Sequence, residues 1–235
     1  MSNKIISRSN IIKLSIPIFV SNLAIPMVGL VDTALMGHLA SEKYLAAISI
    51  ATSVMTMILW SFGFLRMSTV GLVAQLFGMK QFKEIFFTVM RNIIVAVGIS
   101  TIIIFLKTPI LQLIEISFNT STSTQQLIEE YISIRIFSAP AELCIYVLIG
   151  FYLGIQKTKI SSILITFYCI LNILLSSIFV IVYDLEIYGA ALGTLISAYI
   201  TLFSFLVFSI YYLKDKFIFF SDFNKIFNKK KYLRL

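Results

Sequence analysis

The chain has 235 residues, of which 59% are hydrophobic and 13% are charged, against roughly 45–50% and about 25% in soluble domains. This composition excludes an ordinary water-soluble fold, because it leaves too little polar surface to cover one. The net charge of +8 does not indicate a nucleic-acid partner, since the basic residues lie in short connectors and at the carboxy-terminal end rather than on one solvated face.

Six long apolar stretches predict an all-α integral membrane protein, because about 20 mostly apolar residues cross roughly 30 Å of hydrocarbon as a helix. We assign residues 1–213 to a six-helix transmembrane lobe and residues 214–235 to a basic tail. The predicted spans, in chain order, are Lys13–Asp32 (span 1), Lys43–Arg66 (span 2), Phe86–Leu106 (span 3), Leu127–Leu153 (span 4), Lys159–Asp184 (span 5) and Glu186–Lys214 (span 6).

The basic residues predict the orientation of these spans, because Lys and Arg are enriched in cytoplasmic segments. If the amino terminus is cytoplasmic, the outer connectors contain only Lys43 and Lys107. We therefore predict a multi-pass protein of the plasma (inner) membrane with both termini in the cytoplasm. The inner segments then contain 14 basic residues, namely Lys4, Arg8, Lys13, Lys80, Lys83, Lys157, Lys159, Lys214, Lys216, Lys225, Lys229, Lys230, Lys231 and Arg234.

Asp32 lies in the outer half of span 1, where an acidic side chain costs roughly 2.5–3.5 kcal/mol on insertion scales. Such a residue normally faces a protein interior or a water-filled cavity. Burial disfavours the charged form of a carboxyl group, so Asp32 is a candidate for proton exchange. The alternative is an acidic residue that marks the end of the helix among the lipid head groups. Two prolines in the same span, Pro17 and Pro26, either permit a functional bend or reflect the ordinary frequency of proline in membrane helices.

Span 4 carries Arg135 and Glu142, which lie seven residues apart on a similar helix face with Pro140 between them. Their separation along the axis is about 10.5 Å, so we expect no direct ion pair. A structural polar network and a substrate cavity that also includes Arg66 of span 2 are both compatible with this pattern. In span 6, Gly189, Gly193 and Ser197 recur at a spacing of four, which indicates close helix packing.

Two cysteines, Cys144 and Cys169, lie within apolar runs and are interpreted as small buried hydrophobic residues rather than as a disulfide. Thr194 of span 6 can direct a hydroxyl inward. No phosphate-binding loop, metal-ligand cluster or nucleophile elbow occurs, so the sequence indicates no enzyme and no cofactor.

Several segments, in the same order along the chain, resemble the multidrug and toxic compound extrusion (MATE) transporters, particularly the DinF-like branch. The resemblance implies the amino-terminal lobe of a twelve-helix antiporter, with residues 229–235 similar to the start of the linker between lobes. The matching segments are Pro26–Leu39, Gly63–Leu72 with Ala74 and Gln75, Arg135–Ala141, Gly150–Gln156 and Gly189–Thr194.

The resemblance also implies a cation or proton site formed by Asp32, Asn172 and Thr194, and it matches Pro17 to a proline associated with bending. One position departs from the pattern, because Ser176 stands where many relatives carry a second acid. The loss of that carboxylate favours H⁺ over Na⁺ as the coupling ion, since Na⁺ prefers several oxygen ligands and negative charge.

The resemblance therefore implies the amino-terminal lobe of a proton-coupled antiporter that exports cationic or amphipathic small molecules, drug-like compounds or metabolites. A second six-helix lobe, as a separate chain or a second copy, is its expected partner within the lipid bilayer. The alternative from a different class is a truncated or non-transporting membrane partner subunit. A flippase for lipid-linked precursors would require a larger basic cavity than Arg66, Arg91 and Arg135 provide.

Overall fold

A computed structural model describes residue 19 and residues 31–37, 42–118 and 120–214, with side chains up to residue 210. Residues 31–37 form a helical segment, α1, and every longer element in the described part is also helical. The remaining α-helices are α2 (Glu42–Ser61), α3 (Phe64–Gly78), α4 (Phe82–Phe105), α5 (Lys107–Ser117), α6 (Thr122–Arg135), α7 (Ala139–Gly154), α8 (Thr158–Ser177) and α9 (Glu186–Lys214).

Five segments in the described part are long and apolar enough to cross a membrane, and they confirm predicted spans 2 to 6. They are Glu42–Gly78, Phe82–Phe105, Thr122–Gly154, Thr158–Val182 and Glu186–Ile210. Of span 1, only residue 19 and the start of α1 lie in the described part. Pro17, Pro26 and residues 215–235 lie outside the described residues, so the predicted bend and the predicted tail stay predictions.

Three of these spans are interrupted rather than uniform α-helices. In span 2, Phe62 and Gly63 form a turn, because their N–H groups bond to the carbonyls three residues earlier, Leu59 at 3.1 Å and Trp60 at 2.9 Å. In span 4, a 3₁₀ turn at Ile136–Ser138 joins α6 to α7. In span 5, α8 continues into a π-helical turn at Ile178–Val182. Each interruption changes the direction in which the following side chains point.

Span 4 is the central helix of the lobe. In its most apolar window, 78% of residues are buried, compared with 22–39% in the other four spans. Two glycines of α7 allow α3 to approach closely, because a Cβ atom at Gly150 would stand 2.7 Å from the Arg66 carbonyl oxygen and one at Gly154 would stand 2.7 Å from Val73. The interior of the lobe is therefore built around span 4, most of whose apolar window is buried against its neighbours.

The two predicted inner connectors, after α3 and after α7, end their helices in the same way. The backbone N–H of Lys80 donates to the Phe77 carbonyl, and the backbone N–H of Gln81 donates to the Leu76 carbonyl. These two bonds form the Schellman pattern. Gln156 follows the same pattern at the end of α7. Both residues are in the left-handed region, with φ of 57° for Lys80 and 61° for Gln156, a conformation that glycine adopts more readily.

The predicted outer connector between spans 3 and 4 contains a helix that the sequence analysis did not predict. This helix, α5, buries Ile114 but leaves Leu113 and Ile116 65% and 82% exposed. Helix α6 then begins five residues earlier than the predicted start of span 4, because the Ser121 hydroxyl accepts a hydrogen bond from the Thr124 N–H at 3.3 Å and caps the helix.

Candidate functional site

Asp32 is buried within the lobe, with 3% of its surface exposed. Its carboxylate lies beside the Ser176 hydroxyl of α8 and within electrostatic reach of Arg135 at the end of α6. Among residues 31–37, 42–118 and 120–214, nothing offers a hydrogen bond to its Oδ1 atom. The structure therefore places Asp32 in a protein interior rather than at an exposed helix end, as the first of the two sequence interpretations expected.

Asn172 and Thr194 are joined by a direct hydrogen bond between α8 and α9. The Asn172 Nδ2 donates to the Thr194 Oγ1 at 2.8 Å and lies 3.4 Å from the Ser197 Oγ. Thr194 in turn donates to the Ala190 carbonyl at 3.1 Å. Because both Asn172 donors face hydroxyls of α9, the amide oxygen stays available, and it has no partner among the described residues.

Ser176 connects Asp32 to this amide pair. It lies one helical turn after Asn172, so the two side chains share a face of α8. Its hydroxyl is buried beside the Asp32 carboxylate, but it forms no hydrogen bond of ordinary length and angle with the residues that the structure describes. Orphaned buried oxygens call for an explanation such as a water or an ion. Of the three residues predicted together, Asn172 and Thr194 are hydrogen-bonded to each other, and Asp32 lies beside Ser176 on the same helix as Asn172.

Gly193 makes this arrangement sterically possible. A Cβ atom at this position would stand 2.5 Å from the Ser176 Oγ and 2.6 Å from its backbone nitrogen, so α9 packs directly on the backbone of α8. A Cβ atom at Gly189 would likewise stand 2.9 Å from the carbonyl carbon of Phe179. The small-residue spacing in span 6 is therefore used for helix packing, as predicted, and this packing brings Thr194 to Asn172.

Arg135 and Glu142 form a buried ion pair, and the expectation that they do not pair directly is wrong. The Arg135 Nη1 lies 2.5 Å from the Glu142 Oε1, and the side chains are 11% and 12% exposed. The expectation considered only the distance between the two positions along the helix axis and left out the length and direction of the two side chains. Helical side chains lean toward the amino terminus, so Glu142 points back toward the long Arg135 side chain across the 3₁₀ turn.

Of the three residues predicted to line a substrate cavity, Arg135 and Glu142 are in direct contact. Arg66 on α3 is within electrostatic reach of the phenol of Tyr146 on α7, as are both members of the pair. Arg66 is partly buried, whereas the ion pair is largely enclosed. A cavity that all three line, and their contact with a substrate, stay predictions.

Sequence analysis missed three side chains that complete this polar interior. Tyr131 is 1% exposed, lies beside Arg135 and is within electrostatic reach of Asp32. Ser138 accepts a hydrogen bond from the Arg135 Nη1. The Tyr168 hydroxyl, on α8, donates to the Glu142 Oε1 at 3.4 Å. The spacing of Tyr131 and Arg135, one helical turn apart, was a signal available in the sequence.

The fold, with its buried polar cluster, defines a multi-pass helical membrane protein. The family model MatE matches residues 17–178, more than half of the chain. The chain belongs to the MATE family.

The chain is 36% identical over 189 residues to the DNA damage-inducible protein F of Escherichia coli K12, covering 80% of this chain and 41% of that protein. It is 34% identical over 176 residues to the multidrug resistance protein NorM of Vibrio parahaemolyticus, covering 73% and 37%. The chain therefore spans less than half the length of these curated relatives.

Solved structures show the same fold at low identity. A MATE transporter in its bent conformation matches with a TM-score of 0.79 at 21% identity, covering 90% of this chain and 47% of that one. The MATE multidrug transporter DinF-BH matches with a TM-score of 0.78 at 18% identity, covering 89% and 47%. The described helices correspond to about half of each transporter, as expected for one six-helix lobe.

Proposed function

We propose that this chain is the amino-terminal lobe of a proton-coupled antiporter that exports cationic or amphipathic small molecules. The observation that carries this proposal is the buried Asp32 carboxylate, whose Oδ1 has no hydrogen-bond partner within the described ranges. Intramembrane acids are rare and mark ion pathways and proton relays, because an unneeded one is costly to bury. Family membership supports an export role, since the relative NorM is a multidrug resistance protein.

In this mechanism Asp32 takes up a proton on the outer side and loses it on the inner side. Protonation removes the buried negative charge, which favours release of a cationic substrate held by that charge. Deprotonation inside restores the charge and the affinity for the next substrate. The membrane potential contributes about 2.3 kcal/mol per charge per 100 mV to inward movement of the proton.

A second six-helix lobe, as a separate chain or a second copy of this one, is part of the proposal. The chain covers 41% of the Escherichia coli relative and 45–47% of the matching solved transporters, which supports an assembly of two such units. The proposed location is the plasma (inner) membrane with both termini in the cytoplasm. The second candidate function is a partner subunit that assembles with another membrane protein without transporting anything itself.

Dye export in everted membrane vesicles tests the coupling role of Asp32. Vesicles that carry the chain are energised with a proton gradient, and transport of a cationic dye is compared between the wild type and Asp32→Asn. The control is Asp184→Asn, which makes the same chemical change at an exposed residue in the connector before α9. Asp184 has a φ of 50°, a conformation that asparagine tolerates well.

We expect gradient-driven transport in the wild type and in Asp184→Asn, and loss of transport in Asp32→Asn. Undiminished transport by Asp32→Asn would contradict the proposed role of this carboxylate. Absence of transport in all three, at equal amounts of folded chain, would favour the non-transporting partner subunit.

A further inference from the structure

Helix α5 (Lys107–Ser117) exposes two apolar side chains, Leu113 and Ile116, in the connector between two membrane spans. We propose that α5 is an interfacial helix, which lies along the boundary between lipid and water and inserts these two side chains between the lipids. The partner of this surface is therefore the bilayer itself, at the side where spans 3 and 4 are joined. The inference goes beyond the proposed function and holds whether or not the chain transports anything.

The residues of α5 divide into three faces. The first faces the protein, because Ile114 belongs to the core of the lobe and Ile110 and Leu111 pack against it. The second face is polar and exposed, and the third is apolar and exposed. They consist of Thr108, Gln112 and Glu115 on the polar side and of Pro109, Leu113 and Ile116 on the apolar side. Each follows the spacing i, i+4, i+7 and so forms a stripe along the helix, with the two stripes about 100° apart. Adjacent polar and apolar stripes suit a helix that has water on one side and lipid on the other.

The junction between α4 and α5 lies at the depth of this boundary. Helix α4 has 24 residues, which rise about 36 Å and so exceed the roughly 30 Å of hydrocarbon. The helix is interrupted at Leu106, since Pro109 has no N–H to donate to the Phe105 carbonyl and its ring crowds that oxygen. A new helix then starts, with the Ile110 N–H donating to the Leu106 carbonyl at 2.9 Å. With 11 residues, α5 is too short to cross the bilayer, and it packs against the lobe instead.

The apolar stripe of α5 continues an exposed apolar surface of span 3. On the last turn of α4, Ile102 and Phe105 are exposed, and Phe105 reaches 81%. Counted from Ile102, the exposed apolar positions follow the spacing i, i+3, i+7, i+11, i+14, which is one side of a helix. They are Ile102, Phe105, Pro109, Leu113 and Ile116. This continuity favours lipid as the occupant over a soluble protein, since a soluble protein could not follow the stripe back onto a membrane span.

Tryptophan fluorescence of the reconstituted full chain tests this inference. The single tryptophan, Trp60, is first replaced by phenylalanine, so that one introduced tryptophan reports each position. The vesicles contain phosphatidylcholine brominated either near the head group or near the end of the acyl chains, because bromine quenches tryptophan only at short range. Iodide on both sides of the membrane reports exposure to water. Both leaflets carry the bromine, so the direction of insertion does not affect the result.

The test variant is Ile116→Trp, and its matched control is Gln112→Trp on the polar stripe of the same helix. A third variant, Ile94→Trp, places the reporter at an exposed position in the middle of α4 and calibrates the hydrocarbon interior. We expect Ile116→Trp to lose at least about half of its emission to the shallow bromine and less to the deep one, since interfacial helices insert about 5–10 Å. Iodide should quench Gln112→Trp at least about twofold more than Ile116→Trp, because only the polar stripe faces water. Ile94→Trp should respond most to the deep bromine.

Three results would overturn the proposal. Quenching of Ile116→Trp by iodide rather than by bromine would place the apolar stripe in water. Quenching by neither would show that protein covers the stripe, such as a second lobe or a second copy of the chain. Equal bromine quenching of Ile116→Trp and Gln112→Trp would place α5 within the hydrocarbon rather than along its boundary. If Ile116→Trp does not fold, Leu113→Trp reports the same stripe. Dye export enters none of these outcomes, so the inference and the proposed function fail separately.

Discussion

Gly193 and Ser176 bring α9 and α8 into backbone contact, because a Cβ atom at Gly193 would stand 2.5 Å from the Ser176 hydroxyl and 2.7 Å from its Cα. This contact lies one residue from Thr194 and one helical turn from Asn172. The position of the Asn172–Thr194 hydrogen bond therefore depends on the absence of a side chain at residue 193.

Gly193→Ala is expected to destabilise the lobe by about 1–3 kcal/mol, the usual cost of forcing an extra methyl group into a packed interior. Thermal unfolding of the purified chain measures this effect. The matched control is Gly98→Ala in α4, where nothing beyond the adjacent backbone of the same helix lies within 4 Å of the added Cβ. That control should be neutral or stabilising by up to about 1 kcal/mol, since alanine is the better helix former. Equal effects of the two substitutions would contradict the close approach of α9 to α8.

Gly154→Ala is expected to be destabilising for a similar reason and to be partly rescued from the opposite helix. The added Cβ would stand 2.7 Å from both Cβ and Cγ1 of Val73 on α3. The double variant Gly154→Ala/Val73→Ala removes the Cγ1 contact but keeps the Cβ contact, so it should recover only part of the loss of about 1–3 kcal/mol. A double-mutant cycle of unfolding free energies measures the recovery. Strict additivity of the two substitutions would show that α3 and α7 do not meet at this pair.

Gln156→Gly is expected to stabilise the protein by up to about 1 kcal/mol, because a non-glycine residue in the left-handed region carries a steric cost that glycine does not. Gln156 has a φ of 61° and its side chain is exposed, so little packing is lost. The same substitution at Gln126, an exposed position inside α6, should destabilise by about 1 kcal/mol. A higher melting temperature for Gln156→Gly and a lower one for Gln126→Gly would support the Schellman ending of α7. A lower melting temperature for Gln156→Gly would contradict it.

The membrane spans and the polar residues of the site could be predicted because both depend on local composition. An apolar run of about 20 residues has few alternatives to a membrane helix, and an acid such as Asp32 within one stands out by its cost. Cys144 and Cys169 are also buried free thiols, as predicted. Family resemblance, rather than spacing, grouped Asn172 and Thr194 with Asp32. Their direct hydrogen bond and the buried position of Asp32 agree with that grouping.

The features that the sequence did not predict depend on side-chain direction and on interruptions of the helices. The pairing of Arg135 with Glu142 required the 3₁₀ turn and the actual direction of both side chains, which an ideal helix does not supply. Helix α5 was missed because it is short and leaves apolar residues exposed, so that it resembles a loop in a hydropathy profile. Ordinary helix periodicity describes neither case.

The burial of most of span 4 has a consequence for how the protein enters the membrane. Its helices contain Glu129, Glu130, Arg135 and Glu142, which would make it a poor candidate for insertion as an isolated segment. Within the folded lobe Arg135 and Glu142 cost far less, because they neutralise each other and neighbouring helices exclude lipid, whereas Glu129 and Glu130 stay exposed. Biogenesis of the lobe should therefore be cooperative, with span 4 retained beside the earlier spans at the translocon until later ones close around it.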